Sequence, residues 1–138
     1  MLTRRVSLVL ALLGAAPSGG ESALVAQSSA PAAWQATPAS VLKGALRSVA
    51  TAQERYRGLH GAYAASVDRL GVRLESGTQV EILLADRGRW QAKATHRSRP
   101  GRSCVVFVGT AQGAEAPRTD GDREMAGEEG IPLCDRMQ

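Results

Sequence analysis

One amphipathic helix constrains this chain more than any other feature of its sequence. Thr37-Pro38 is a typical helix start, because threonine can cap the first N–H groups and proline at the first helical position loses no hydrogen bond. Small and apolar side chains then recur at steps of three and four and share one helix face. They are Leu42, Ala45, Leu46, Val49, Ala52 and Tyr56. We predict a helix from Pro38 to Arg57 that stops at Gly58 and packs against a second layer.

Three strand-like segments follow the helix and can supply that layer. They are residues 79–86, 89–96 and 102–110. The first places Val80, Ile82 and Leu84 on one face, and the third is apolar on both faces, which is typical of a strand covered on both sides. Turn-forming residues separate the segments, which indicates an antiparallel meander. The predicted fold class is therefore α+β, with a long N-terminal helix packed on a small antiparallel sheet.

Large apolar side chains are scarce, so the main core contacts can be named in advance. We expect Val49 on the helix to meet Phe107 on the third strand. Tyr56, Leu59 and Tyr63 continue the helical stripe, and we expect the two tyrosine rings to cover the core where the helix gives way to a loop. A ligand-binding aromatic cluster is the alternative for these two tyrosines.

The N-terminal residues are typical of a secretory signal. Arg4 and Arg5 precede an apolar run, and small residues lead to a plausible cleavage point after Ala26. That run is shorter than the roughly 20 apolar residues that span a bilayer, although a retained anchor is the alternative. We predict a signal peptide over residues 1–26, a flexible linker over 27–37 and one domain over 38–138, in a periplasmic or secreted protein with no membrane span in its mature form.

The two cysteines, Cys104 and Cys134, are predicted to form a disulfide, because an isolated pair in an exported chain is most simply explained in this way. A redox pair is the alternative, but the chain has no C-x-x-C motif to favour it. A metal site would need His60 or His96 as a further ligand, and neither has a partner at ligand spacing. We therefore expect no metal and no cofactor.

No catalytic motif is present in the sequence. The chain has no Gly-x-Ser-x-Gly elbow and no Cys–His pair in a suitable context, so we expect it not to be an enzyme. A formal net charge of +4 over 138 residues is too small to indicate nucleic acid as a partner.

A basic cluster on and around the second strand is the clearest candidate partner surface. Its members are Arg87, Arg89, Lys93, Arg97, Arg99 and Arg102. Such a cluster is typical of a solvated strand face, and it can also bind an anionic partner. Trp34, the large apolar residue of the linker, is a second candidate contact.

The acidic segment 115–129 raises the question of calcium. The sequence "TDGDRE" alternates carboxylates near a glycine, but the sixth position from Asp120 is Met125, where the helix–loop–helix calcium motif has glycine. We otherwise expect residues 111–130 to form a loop with little to bury, tethered by Cys134.

The order of these pieces resembles a known family. A helix, the descent "GLHGAYAASVDRLGV", the meander "WQAKATHRSRPGRSCVVFVG" and a final "IPLCD" follow one another. This order resembles the globular part of type IV pilins and of the pseudopilins of type II secretion systems, over about residues 42–136. The segment that connects helix to sheet in this family is matched here by His60-Gly61-Ala62-Tyr63 and by Leu70-Gly71. The resemblance implies a helix packed on an antiparallel sheet.

The chain lacks the family's N-terminal methylation motif and hydrophobic stalk, since Gly20-Glu21 is followed by "SALVAQSSAPAAW". We therefore expect a monomer that does not build filaments by itself. The first functional hypothesis is an exported, non-enzymatic, pilin-like interaction module. The alternatives are an accessory subunit of a type IV pilus or type II secretion system, and an exported domain that binds a small ligand or calcium.

Export can be tested on the protein recovered from cells that express it. The mature chain should begin within a few residues of Gln27, because signal peptidase cuts after small residues. N-terminal sequencing checks this, and recovery of a membrane-bound form that still begins at Met1 or Leu2 would contradict it.

Overall fold

The structure is a computed structural model, and it describes residues 36–109 and 115–137. In these residues one α-helix packs against a four-stranded antiparallel sheet with the strand order β1-β2-β3-β4. The elements are α1 (Pro38–His60), a 3-10 helix (Val67–Leu70), β1 (Thr78–Ala85), β2 (Trp90–His96), β3 (Ser103–Val108) and β4 (Leu133–Cys134). The α+β prediction is confirmed, and the two-residue strand β4 is an addition to the predicted meander.

Helix α1 begins where the sequence predicts and ends later. Thr37 is the N-cap, and its Oγ1 accepts a hydrogen bond from the Ser40 N–H at 3.2 Å. The helix continues through Gly58 and ends at Gly61, whose φ of 74° is left-handed and whose N–H donates to the Arg57 carbonyl at 2.7 Å. The predicted stop at Gly58 is therefore wrong, because Gly61 is the residue that adopts the left-handed conformation.

The core lies between α1 and one face of the sheet. Leu42, Leu46 and Val49 of the helix are fully buried, which confirms the predicted stripe. They pack against one face of β2 and β3, whose fully buried residues are Trp90, Ala92, Ala94, Cys104 and Val106. Ala92 and Ala94 of β2 have short side chains, so the helix can approach the sheet closely there, and Trp90 fills the space beside them.

The sheet register corrects two predictions of side-chain direction. Ile82 pairs with Ala92 whereas Leu84 pairs with Gln91, so a β-bulge turns Leu84 away from the face that Ile82 shares. Phe107 also pairs with Gln91 and lies on the face opposite α1. The predicted contact between Val49 and Phe107 is therefore wrong, because alternation along β3 directs its other side chains to the helix.

The polar side chain of Gln53 joins the helix to the loop that follows it. This residue is fully buried, and its amide accepts from the Ala64 N–H at 2.7 Å and donates to the Ala64 carbonyl at 2.8 Å. Next to it, the buried Tyr63 ring lies 6.4 Å from the Trp90 ring, and its hydroxyl donates to Glu54 at 2.9 Å. Tyr63 thus covers the core as expected.

The other predicted aromatic cover, Tyr56, is only half buried and lies against the His60 ring at 4.1 Å between centroids. Tyr56 therefore contributes less to the core than Tyr63.

The second face of the sheet is covered by the segment that precedes β4. Val105 of β3 is fully buried on this face, which confirms the prediction that the third strand is covered on both sides. The covering segment is a loop, as expected, but it also buries Pro117, Thr119 and Ala126. The N–H of Gly130 in this segment donates to the Phe107 carbonyl at 2.8 Å. This segment therefore buries more of its side chains than the sequence predicted.

Two leucines of α1 provide a matched test of the helix–sheet packing. Leu46→Ala should lower the free energy of unfolding by about 2–5 kcal/mol, because it opens a cavity in the core. Leu59→Ala should change it by less than about 0.5 kcal/mol, because Leu59 is 77% exposed and does not continue the buried stripe as predicted. Urea unfolding of both variants checks this, and equal effects would show that α1 packs differently.

Candidate functional site

The predicted disulfide between Cys104 and Cys134 is confirmed. It joins β3 to β4 at a position where the two cysteines are cross-strand partners, and 30 positions of sequence separate them. Closing a loop of this length stabilises the fold by about 3–4 kcal/mol on the chain-entropy model. The described residues contain no free cysteine.

Asp135, directly after the disulfide, holds three parts of the chain together. Its carboxylate accepts N–H groups from Ser103 at 2.8 Å, from Gly121 at 2.9 Å and from Asp122 at 2.6 Å. Its own N–H donates to the Ser103 carbonyl at 2.9 Å. Because the residue is only 3% exposed, these bonds replace the water that a carboxylate would otherwise bind. Sequence analysis missed this residue.

Burial alone would raise the pKa of Asp135. Hydrogen bonds from the Asp122 N–H, the Thr119 hydroxyl and the N–H groups of Gly121 and Ser103 outweigh burial and hold the pKa below its usual range. Asp135 therefore remains a buried anion at neutral pH, and its charge stabilises the folded chain through these donors.

The six basic residues predicted as a partner surface lie in three separate places. Arg87 and Arg89 lie at the β1–β2 turn, whereas Arg97 and Arg99 lie beyond the other end of β2. Lys93 points to the face opposite α1, since it alternates with Ala92 and Ala94. The structure therefore does not bring the six together, although Arg97, Arg99 and Arg102 line one hollow. Trp34 lies outside the described residues.

Three of these cations form ion pairs within the chain. Arg89 binds Asp86 at 2.7 Å, Lys93 binds Asp120 at 3.3 Å and Arg102 binds Asp122 at 2.7 Å. Two of the three acceptors belong to the acidic segment that was considered for calcium. That segment is thus held to the sheet partly by Lys93 of β2 and by Arg102, which directly precedes β3.

Three carboxylates of this acidic segment, Asp120, Asp122 and Glu129, have partners in the chain itself. Asp122 accepts the Arg136 N–H at 2.8 Å as well as the Arg102 guanidinium, and these two bonds, in that order, lower its pKa. Glu129 accepts the Gly109 N–H. Within residues 36–109 and 115–137, no group of three or more His, Cys, Asp or Glu side chains is placed to hold a metal ion.

An exposed apolar hollow lies on the same segment. It has a volume of about 530 Å³, and Met125, Ile131 and Leu133 line it together with Glu124 and Glu128. Met125 is 43% exposed and Ile131 is 56% exposed. Sequence analysis missed this hollow because its residues follow neither a helical nor a strand period.

No described helix has the length and apolar character that crossing a bilayer requires.

No protein-family model matches the sequence, and no curated protein matches it.

The depressed pKa of Asp135 makes its contribution to stability dependent on pH. That contribution is present above the unfolded-state pKa of about 3.9 and is lost as the pH falls through the lower folded-state pKa. Asp135→Asn should therefore reduce the free energy of unfolding at neutral pH by about 1–3 kcal/mol, because an amide N–H₂ would face backbone donors.

The difference between Asp135→Asn and the parent protein should shrink at acid pH. Chemical denaturation at a series of pH values checks this, with the exposed Asp68→Asn as the matched control. A difference that stays constant down to the acid limit would contradict the ionised, hydrogen-bonded carboxylate.

Proposed function

We propose that this protein is an exported, non-enzymatic, pilin-like interaction module. The likeness to pilins rests on the order of the sequence motifs, and a helix packed on an antiparallel sheet is compatible with it. The disulfide between β3 and β4 supports an exported location, because disulfides persist in oxidising compartments. The proposal that the chain is not an enzyme rests on its sequence.

The apolar hollow on the disulfide-closed segment is the observation that carries this proposal. Four large hydrophobic residues of the described chain are exposed, and two of them, Met125 and Ile131, meet at this hollow. Exposed apolar side chains that cluster on a surface favour a protein contact. The disulfide and Asp135 hold the segment in place, so little conformational entropy would be lost on binding.

Charge complementarity indicates the chemistry of the partner. Glu124 and Glu128 lie beside the apolar residues of the hollow. A protein segment that carries an apolar side chain next to a lysine or arginine would fill the hollow and neutralise these carboxylates. Seven residues line the hollow, whereas a stable interface involves roughly 20–30 residues on each side, so this contact would be one part of a larger or transient interface.

Two exposed apolar residues allow a matched test. Cells that express the protein are treated with a cross-linker, and proteins joined to the parent chain, Ile131→Ser and Leu83→Ser are identified by mass spectrometry. Leu83 is 42% exposed on β1 and serves as the control. We expect a partner that is captured by the parent and by Leu83→Ser but is lost with Ile131→Ser. The reason is that Ile131 lines the hollow, whereas Leu83 does not.

The cross-linked partner peptide should contain an apolar residue beside a basic one. A pilus or secretion component in that position would favour the accessory-subunit alternative over an independent module. Loss of the partner with Leu83→Ser and its retention with Ile131→Ser would contradict the proposed surface.

A further inference from the structure

A second hollow, unrelated to the apolar one, lies at the end of the sheet beside the β2–β3 turn. It has a volume of about 540 Å³ and is open to solvent. Its lining comes from the start of β1, the end of β2 and the turn, and includes Gly77, Thr78, His96, Arg97, Arg99 and Arg102. Three arginines around one hollow produce a local positive potential.

Two of these arginines have no carboxylate partner in the described part of the chain. The ion pairs found there involve Arg89, Lys93 and Arg102, so Arg97 and Arg99 are in none of them. Arg102 is bound to Asp122 at 2.7 Å and can add only its remaining donors. The positive charge of Arg97 and Arg99 is therefore available to a ligand.

Two polar atoms at this hollow are buried and lack a hydrogen bond in the described structure. They are Thr78 Oγ1 and Arg99 Nε, and Thr78 as a residue is only 8% exposed. A buried donor without an acceptor costs free energy, and such groups are rare in folded proteins. Both residues line the hollow, and Arg99 Nη1 donates to the Ser98 carbonyl at 3.2 Å. A ligand with several acceptor oxygens could satisfy both atoms if the Arg99 side chain rotated and gave up that bond.

His96 offers a further donor to the same space. Its Nδ1 accepts the Ser98 N–H at 3.2 Å and lies 2.7 Å from the Ser98 hydroxyl, and the first of these bonds favours the neutral tautomer with its proton on Nε2. A Cβ at Gly77 would lie only 3.1 Å from this Nε2 and 3.1 Å from Arg97 Nε. The absence of a side chain at Gly77 therefore lets His96 and Arg97 come together at the hollow.

We propose that this hollow is a binding site for a tetrahedral oxyanion, the phosphate or sulfate group of a small molecule. Its donors come from three separate stretches of chain, β1, the end of β2 and the turn, so they approach a ligand from different directions. A tetrahedral group has acceptor oxygens in several directions, whereas a planar carboxylate suits a single bidentate arginine. The site is distinct from the apolar hollow and does not depend on the proposed partner contact.

Isothermal titration calorimetry on the purified, oxidised protein tests the proposal. The ligands are inorganic phosphate, sulfate, glucose 6-phosphate, glucose 6-sulfate and acetate, with chloride as the background salt. We expect phosphate or sulfate to bind more tightly than acetate, and a gain in affinity with one of the sugar esters shows which group the site takes. Acetate binding as tightly as both tetrahedral ions would overturn the proposal, as would no binding of any ligand at millimolar concentration.

Matched variants locate the site. Arg99→Gln and Arg97→Gln should each weaken binding about tenfold, because each loses a charge-assisted hydrogen bond. Arg87→Gln removes the same charge at the far end of β2 and should leave the affinity within about twofold, since only screened long-range attraction is lost. Equal losses in Arg87→Gln and Arg97→Gln would overturn the proposal in favour of non-specific attraction.

Two further measurements separate binding from folding. Thr78→Val retains the volume of the side chain and removes its hydroxyl, and it should weaken binding several-fold without lowering the melting temperature. Amide chemical shifts of Gly77, Thr78 and Arg99 should move on addition of the anion, whereas those around Ile131 should not. Shifts confined to residues outside the hollow would overturn the proposal even if binding occurs.

Discussion

The contact between α1 and the alanines of β2 is the constraint on which the rest of this fold depends. A helix that contains Gly44 and Gly58 has weak intrinsic stability in water, so its fully buried stripe must be held by the sheet. Ala92 and Ala94 provide the shallow surface that the helix needs, and Trp90 closes one end of it. At the end of the helix, the hydrogen bonds of Gln53 and Tyr63 hold the loop that leads from α1 to β1.

A second set of interactions attaches the C-terminal segment to the opposite face of the same sheet. The disulfide joins β3 to β4, and the buried carboxylate of Asp135 binds backbone groups at the start of β3 and in the acidic segment. Asp122, whose N–H donates to Asp135, accepts the Arg102 guanidinium in turn. The network around Asp135 therefore positions the segment that carries the apolar hollow, and it reaches the basic hollow only through Arg102.

These two surfaces differ in chemistry, so they favour different classes of ligand. The hollow around Met125 and Ile131 is apolar and bordered by glutamates, whereas the hollow beside the β2–β3 turn is lined by arginines and a histidine. The protein contact and the anion that we propose would therefore lie at separate places on the surface. Both surfaces combine strand ends with turns or loops beside the sheet, and binding residues are common in such connecting segments.

The sequence by itself determined the features that depend on neighbouring residues. The cap at Thr37, the helical stripe, the three main strands and the pairing of the only two cysteines all follow from local spacing or composition. The bulge that turns Leu84 away and the outward face of Phe107 were decided by the register between strands, which a one-residue shift inverts.

Only the tertiary structure decided which polar residues act together. Asp135 is one more acidic residue in the sequence, and it becomes an anchor because the disulfide places it against β3 and the acidic segment. The basic residues likewise form one cluster in the sequence, but the length of strand β2 separates the two ends of that cluster. Three of its six members are also bound in ion pairs within the chain. The physical reason is that charge and hydrogen bonding act across space, between segments whose distance along the chain says nothing about their distance in the fold.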